Sequence, residues 1–119
     1  MSDPPVYFLD ELELRPGMLE PFLASLEADY EPAASERGMR RVHTWVTPPV
    51  ELAAGGTHLL VIWEVAGAAG FWGSRAGDDP GVLAWWKACE ERYLVSRSRR
   101  YAASAEDLSA LDAASKQFA

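Results

Sequence analysis

The chemistry that this sequence offers centres on two histidines, His43 and His58, because an imidazole commonly gains and loses a proton near neutral pH. His43 lies in the segment RRVHTWV, where the alternation of a β-strand would place Arg41, His43 and Trp45 on one face. Proton transfer beside a carbonyl group needs such an acid or base within reach of the substrate. We therefore predict His43 as the acid or base of a site, with hydrogen bonding at an interface as the alternative role.

Two residues of the first predicted strand could assist His43. Tyr7 carries a phenol that can donate to a developing oxyanion, and Glu11 carries a carboxylate that can orient an imidazole. His58 opens a later strand after two glycines, so an exposed turn position competes with a role in substrate binding. Trp63 and Glu64 are neighbours on that strand and cannot both face one pocket, and periodicity does not choose between them.

A further aromatic group is predicted to form an apolar mouth for an aromatic or polycyclic ligand. It consists of Phe71, Trp72 and Trp85, with the glycine-containing segment 67–77 as a pliable lid. The alternative for these side chains is packing in the core.

Charge, apolar segments and the spacing of possible ligands argue against nucleic-acid binding, membrane insertion and metal binding. The net charge of −7 disfavours nucleic acid and anionic membranes as partners. No secretory signal and no apolar run of membrane-spanning length is present, so we expect a cytoplasmic protein. The single cysteine, Cys89, and the separated histidines have no metal-ligand spacing, and no glycine-rich phosphate loop occurs. We expect neither a metal nor a cofactor.

The apolar pattern predicts strands at Val6–Leu14, Met39–Thr47, Thr57–Val65 and near Arg99–Ala102. Two amphipathic helices follow from matching stripes: Leu19, Phe22, Leu23, Leu26 and Tyr30, then Val82, Trp85, Trp86, Cys89 and Tyr93. Pro32 should kink or end the first helix, and Asp79 with Pro80 should begin the second. A short helix is predicted around 71–75, and a last helix carries Leu108, Leu111 and Phe118.

This order predicts an α+β fold of the ferredoxin-like βαββαβ type, with a four-stranded antiparallel sheet and an extra C-terminal helix. The domain would span residues 1–103 and the amphipathic helix residues 104–119. Helices would cover one face of the sheet, yet the third strand is apolar on both faces. A second copy of the same sheet is the simplest cover. We therefore predict a homodimer, a dimeric α/β barrel.

The segments VYFLDELELRPGMLEPFLASLE, HTWVT, THLLVIWE and DPGVLAWWKACEE resemble the dimeric α/β-barrel superfamily, and within it the NIPSNAP-like group. The resemblance spans about residues 5 to 102 and implies a barrel built from two sheets. Trp63 resembles the pocket tryptophan of related monooxygenases, which favours Trp63 over Glu64 as the residue that faces the pocket. In our first hypothesis Trp63 and Trp45 are the walls of the substrate site.

Other branches of the superfamily match less completely. Their quinone-forming and haem-degrading members use a pocket asparagine, and this chain has no asparagine. The TH at the start of the third strand is similar to a stress-responsive branch that includes a plant polyketide cyclase. The histidine which that branch carries after its second helical segment has no counterpart in GDDPGVLAWW.

Three hypotheses for function follow. The first is a cofactor-free enzyme performing acid/base chemistry, such as cyclisation, isomerisation or dehydration, on a hydrophobic carbonyl or polyketide-like compound. The second is a non-catalytic module for binding a small molecule or another protein. The third is a cofactor-independent monooxygenase.

Overall fold

The computed structural model describes residues 4–50, 56–75 and 79–116. Its four strands are β1 (Pro5–Leu14), β2 (Arg40–Thr47), β3 (Thr57–Ala66) and β4 (Leu94–Ala102). They form one antiparallel sheet in the order β2-β3-β1-β4. The helices are α1 (Leu19–Ser25), α2 (Glu31–Glu36), α3 (Gly67–Arg75), α4 (Pro80–Arg92) and α5 (Leu108–Ser115). The predicted ferredoxin-like α+β fold is confirmed.

The first helical region runs past the proline that was expected to kink or end it. A π-helical turn, Leu26–Tyr30, joins α1 to α2, and Pro32 lies in the first turn of α2. A proline is tolerated there because the N–H that it lacks would have no intrahelical acceptor. The chain leaves α2 through Gly38, whose φ of 81° suits glycine, and Met39 N–H then donates to Ala34 O at 2.9 Å.

Helix α4 begins as the sequence predicts. Asp79 is the N-cap and its carboxylate accepts from Gly81 N at 2.8 Å, with Pro80 in the first turn. Strand β4 follows at once and starts at Leu94, earlier than the predicted position near Arg99. The described part of β4 pairs only with β1, so β4 is an edge strand. Its sequence VSRSRR is polar, and a search for apolar patterns therefore does not detect the start of this strand.

The two faces of the sheet have different surroundings. One face packs against the helices and carries the core: Val6, Phe8, Leu12 and Leu14 of β1 with Leu59, Val61, Trp63 and Val65 of β3. The other face, here called the open face, carries Tyr7, Leu9, Glu11 and Glu13 of β1 with His58, Leu60, Ile62 and Glu64 of β3. The apolar residues of the open face, Leu9, Leu60 and Ile62, do not belong to the described core cluster that packs against the helices.

A β-bulge in β2 changes which of its side chains share a face. Arg41 pairs with Trp63, but the next pair is His43 with Ile62, so Val42 is the extra residue. Arg41 therefore lies on the helix-covered face and His43 on the open face. The prediction that Arg41, His43 and Trp45 share one face is wrong for Arg41, because strict alternation does not allow for a bulge.

The C-terminal helix α5 buries Leu111 and lies beside α3. Gly77 of the predicted lid and Phe118 of the last helical stripe lie outside the described residues. Among the described residues, no helix has both the length and the apolar character needed to cross a membrane.

Candidate functional site

Trp63 does not line the open face. Its side chain is fully buried on the helix-covered face, where its ring meets that of Tyr30 at 5.5 Å in an edge-to-face contact. Its indole N–H donates to Asp10 Oδ2 at 3.0 Å. The expected orientation of Trp63 is therefore wrong, and Glu64 is the residue of that pair on the open face. The reason is alternation: Trp63 shares the parity of the core residues Val61 and Val65.

Beneath the sheet lies a buried polar network that the sequence analysis missed. Asp10 is only 3 % exposed, and its carboxylate accepts from Arg99 at 2.6 Å (Nε) and 2.9 Å (Nη2). Arg99 Nη2 also donates to the hydroxyl of Tyr30 at 3.1 Å, and Arg37 Nη2 donates to the same oxygen at 3.3 Å. The signal was present in the sequence, since Asp10 interrupts the apolar series Val6, Phe8, Leu12 and Leu14.

The electrostatics of this network favour a structural role. Burial alone would lower the pKa of Arg99, but the hydrogen bond and charge of Asp10, with a contribution from Tyr30, outweigh it and raise that pKa. The Asp10 carboxylate receives hydrogen bonds from Arg99 and Trp63 and is thus well satisfied. The network joins β1, β3, β4 and the π-helical turn.

The three predicted catalytic residues lie on the open face but not in mutual contact. Tyr7 and Glu11 are four positions apart on β1, about 13 Å along an extended strand. β3 separates His43 from β1, a span of two inter-strand spacings or about 10 Å. Glu11 is paired with Arg100 instead of an imidazole. The predicted orienting contact between Glu11 and His43 is absent from the described hydrogen bonds.

His43 has an aromatic neighbour. Its ring stacks on that of Trp45, with 4.5 Å between centroids and 19° between planes. Trp45 is 52 % exposed, and both side chains stand on the edge strand β2. This stack is a flat apolar platform at the border of the open face.

On the open face, His58 is the histidine that has a carboxylate, that of Glu13, as its neighbour. Thr47, His58 and Glu13 are direct partners across β2, β3 and β1, so their side chains form one row on that face. Nε2 of His58 lies 3.8 Å from Oε1 of Glu13. The entry to β3 is tight, since a Cβ at Gly56 would lie 2.8 Å from Leu14 O. We call Thr47, His58 and Glu13 the histidine row; Thr47 and Glu13 were not predicted from the sequence.

A cavity of about 270 Å³ adjoins the histidine row. Its lining consists of Glu11, Thr47, His58 and Leu60 together with Leu12 and Leu59, so the carboxylate that lines it is that of Glu11 and not that of Glu13. The open face thus brings together an imidazole, a carboxylate, a hydroxyl and apolar side chains beside a space that approaches the size of small-molecule pockets.

The predicted aromatic mouth divides into two groups. Phe71 and Trp72 touch, with ring centroids 5.2 Å apart. Trp85 instead stacks on Tyr30 at 4.7 Å, and its N–H donates to Ser25 Oγ at 2.9 Å. Trp85 is therefore engaged in the helix-side core, while Phe71 lines a separate cavity described below.

Neither metal chemistry nor thiol chemistry is indicated by the described residues. No group of three or more histidine, cysteine, aspartate or glutamate side chains is placed there to hold a metal ion. Cys89 is buried, and desolvation, only partly offset by Arg92, raises the pKa of its thiol to about 11. The thiol is therefore protonated at neutral pH, which makes it a poor nucleophile.

Comparison with known proteins shows the fold. Three solved structures align over most of this chain: two NIPSNAP family proteins of Agrobacterium tumefaciens and an uncharacterized NIPSNAP domain protein of Burkholderia xenovorans. The TM-scores are 0.64, 0.61 and 0.58. The chain has the NIPSNAP fold. The resemblance noted from the sequence is confirmed at this level.

The NIPSNAP similarity is one of structure. Sequence identities are 14 %, 15 % and 16 %, with 89 %, 87 % and 84 % of this chain covered and 90 %, 93 % and 94 % of the other chains. One of the Agrobacterium proteins is described as having unknown function. Neither a protein-family model nor a curated protein matches the sequence.

Proposed function

We propose that this NIPSNAP-fold chain pairs with a second copy through its open face and works there as a cofactor-free acid/base enzyme on a hydrophobic carbonyl compound. The observation that carries the proposal is the histidine row beside the 270 Å³ cavity. His58 takes the acid/base role that the sequence analysis gave to His43, because His58 has a carboxylate neighbour.

Pairing of two copies is supported by the composition of the open face. Its centre is apolar, with Leu9, Leu60 and the 9 %-exposed Ile62 side by side. Ion pairs flank this centre, with Arg40 and Glu64 at one end and Glu11, the direct partner of Leu60, reaching Arg100 on the edge strand β4. An apolar centre with a polar rim is the usual anatomy of a protein interface. A second copy would also enclose the cavity and exclude water from it.

The acid/base step follows from the chemistry of the row. His58 would take a proton from the carbon beside a carbonyl group, and Glu13 would stabilise the imidazolium that forms. The Thr47 hydroxyl would donate to the carbonyl oxygen as its charge develops. Return of the proton to a different atom gives an isomerised product, with no oxidant or reductant consumed. A His–Glu separation of 3.8 Å is compatible with contacts that tighten when substrate binds.

The direct test is deuterium exchange into the methyl group of 1-acetonaphthone, followed by NMR in buffered D2O. We expect the wild type to accelerate exchange, and His58→Gln to lower the protein-dependent rate by about 100-fold or more. Glu13→Gln should lower it less, since the base itself remains. His43→Gln is the matched control on the same face and should retain most of the rate.

Two results would count against the proposal. One is a wild-type rate no faster than that of free imidazole at the same concentration. The other is an equal loss in His58→Gln and His43→Gln. If 1-acetonaphthone raises the unfolding temperature of all these proteins alike without any exchange, the chain binds such a ligand but does not catalyse, which is the second hypothesis.

A further inference from the structure

A second pocket, a shallow groove largely open to solvent, lies on the helix-covered side, at the end of β1 remote from the histidine row. It holds about 300 Å³ between α3, α5, the start of β1 and the end of β4. The groove exists because three of its lining residues, Ala68, Ala102 and Ala103, have small side chains. The aromatic rings of Phe71 in α3 and Tyr101 in β4 also line it. We call it the α3–α5 groove.

The rings at the groove form a herringbone arrangement. Phe71 and Tyr101 are 5.2 Å apart and nearly perpendicular at 84°. Both are also nearly perpendicular to Phe8 beneath them, at 88° and 83°. Aromatic rings favour such edge-to-face contacts, so a planar ring entering the groove can extend the pattern.

The groove leaves large apolar side chains in water. Tyr101 is 44 % exposed and Leu108 of α5 is 65 % exposed. Covering apolar surface contributes about 25 cal/mol per Å², so an apolar ligand placed between these side chains gains from both.

The size of the groove selects a small molecule. A volume of 300 Å³ corresponds to about ten water-sized groups, which is the scale of a bicyclic aromatic ring. A protein partner would need about 800 Å² of surface on each side, far more than this groove supplies.

Charge at the rim selects the ligand further. The polar side chains that line the groove, Asp112 and Ser115, both lie on α5. Within the described part of the chain, Asp112 makes a long, exposed ion pair with Lys116, at 3.9 Å. The chain as a whole carries −7. A carboxylate at this rim favours an N–H donor or an ammonium group and disfavours an anion.

We propose that the α3–α5 groove binds a planar bicyclic aromatic compound that carries an N–H or ammonium group at one end. The ring lies between Phe71, Tyr101 and Leu108, and the nitrogen group meets Asp112. The site is separate from the histidine row, so its occupancy does not depend on the acid/base function proposed there.

The test titrates the full chain with tryptamine, indole and indole-3-acetate and follows backbone amide NMR shifts. We expect saturable shifts at Ala102, Ala103 and Leu111, with affinity falling in the order tryptamine, indole, indole-3-acetate. Ala103→Phe should fill the groove and weaken tryptamine binding at least tenfold. Ala105→Phe, at an exposed position that does not line the groove, is the matched control and should bind as the wild type does.

Asp112→Asn should reduce the preference for tryptamine over indole-3-acetate without removing the indole shifts, and an unchanged preference would contradict the role given to Asp112. The proposal is overturned if no saturable shift occurs up to millimolar ligand, if the shifts map to the open face, or if Ala103→Phe binds normally. It is also overturned if only a chain lacking residues 117–119 binds, because the last residues of the chain would then be the occupant.

Discussion

Among the described residues, Asp10 is the single residue whose buried charge the core must compensate by hydrogen bonds and an ion pair. Asp10 lies in the core, yet two hydrogen bonds from Arg99 and one from Trp63 satisfy its carboxylate. Buried ion pairs add little net stability compared with apolar residues, but breaking one leaves an uncompensated charge. Asp10 and Arg99 are also direct partners across β1 and β4, so the pair favours this register.

Removing Asp10 alone should therefore lower the free energy of unfolding more than removing Asp10 and Arg99 together. Asp10→Leu should lower the free energy of unfolding by about 3–5 kcal/mol. The double variant Asp10→Leu/Arg99→Met should recover part of this loss, with about 1–3 kcal/mol still missing because Trp63 N–H has lost its acceptor. Urea denaturation measures both. A loss below 1 kcal/mol for Asp10→Leu would show that the network does not hold the core.

The buried thiol gives a second prediction at this scale. Because burial raises the pKa of Cys89 from 9.0 to about 11, the folded chain keeps a proton in that interval that the unfolded chain releases. Stability should therefore fall as pH rises from 9 to 11. Cys89→Ala should show a smaller fall over the same interval in urea midpoints. Parallel curves for the two proteins would contradict the assignment.

At the scale of elements, the sequence predicts strands and helices well where local signals agree. The Asp79–Pro80 start of α4 and the stripe from Leu19 to Tyr30 are found as expected. The site was harder to predict because it depends on faces and registers. A strand that is apolar on both sides does not reveal which face Trp63 takes, and a bulge at Val42 moves Arg41 away from His43.

Pairings across the sheet explain the remaining differences. The histidine row exists only because Thr47, His58 and Glu13 from three strands come into register. Those residues are far apart in the sequence, and no local spacing joins them. Asp10 and Arg99 show the same limitation, since the partner of a polar residue in an apolar strand is chosen by tertiary pairing.

Alanine substitutions at two glycines should have opposite effects on stability, because the two backbone conformations differ. Gly38 ends the first helical region at φ 81°, so Gly38→Ala should destabilise the chain by about 1 kcal/mol. Gly73 lies within α3, and a Cβ there would meet nothing within 4 Å. Gly73→Ala should therefore stabilise by about 0.4–1 kcal/mol. Thermal unfolding of the two variants compares them directly, and a change of the same sign in both would contradict this explanation.

In the whole molecule, helices cover one face of the sheet, and we propose that a second copy of the chain covers the other. Leu9, Leu60 and Ile62 form an apolar centre that lies outside the described core cluster packed against the helices. Trp45 stands beside them, half exposed. Enclosure by a partner would bury this surface and also close the cavity at the histidine row. Assembly and activity are therefore coupled in this account.

Sedimentation velocity between 1 and 100 µM measures whether two copies of the chain pair through the open face. We expect the wild type to sediment as a dimer and Leu60→Asp, on the open face, to sediment as a folded monomer. Leu83→Asp, at a 53 %-exposed position on α4, should remain a dimer. A wild-type chain that is monomeric throughout this range, or a Leu60→Asp variant that still dimerises, would contradict the account.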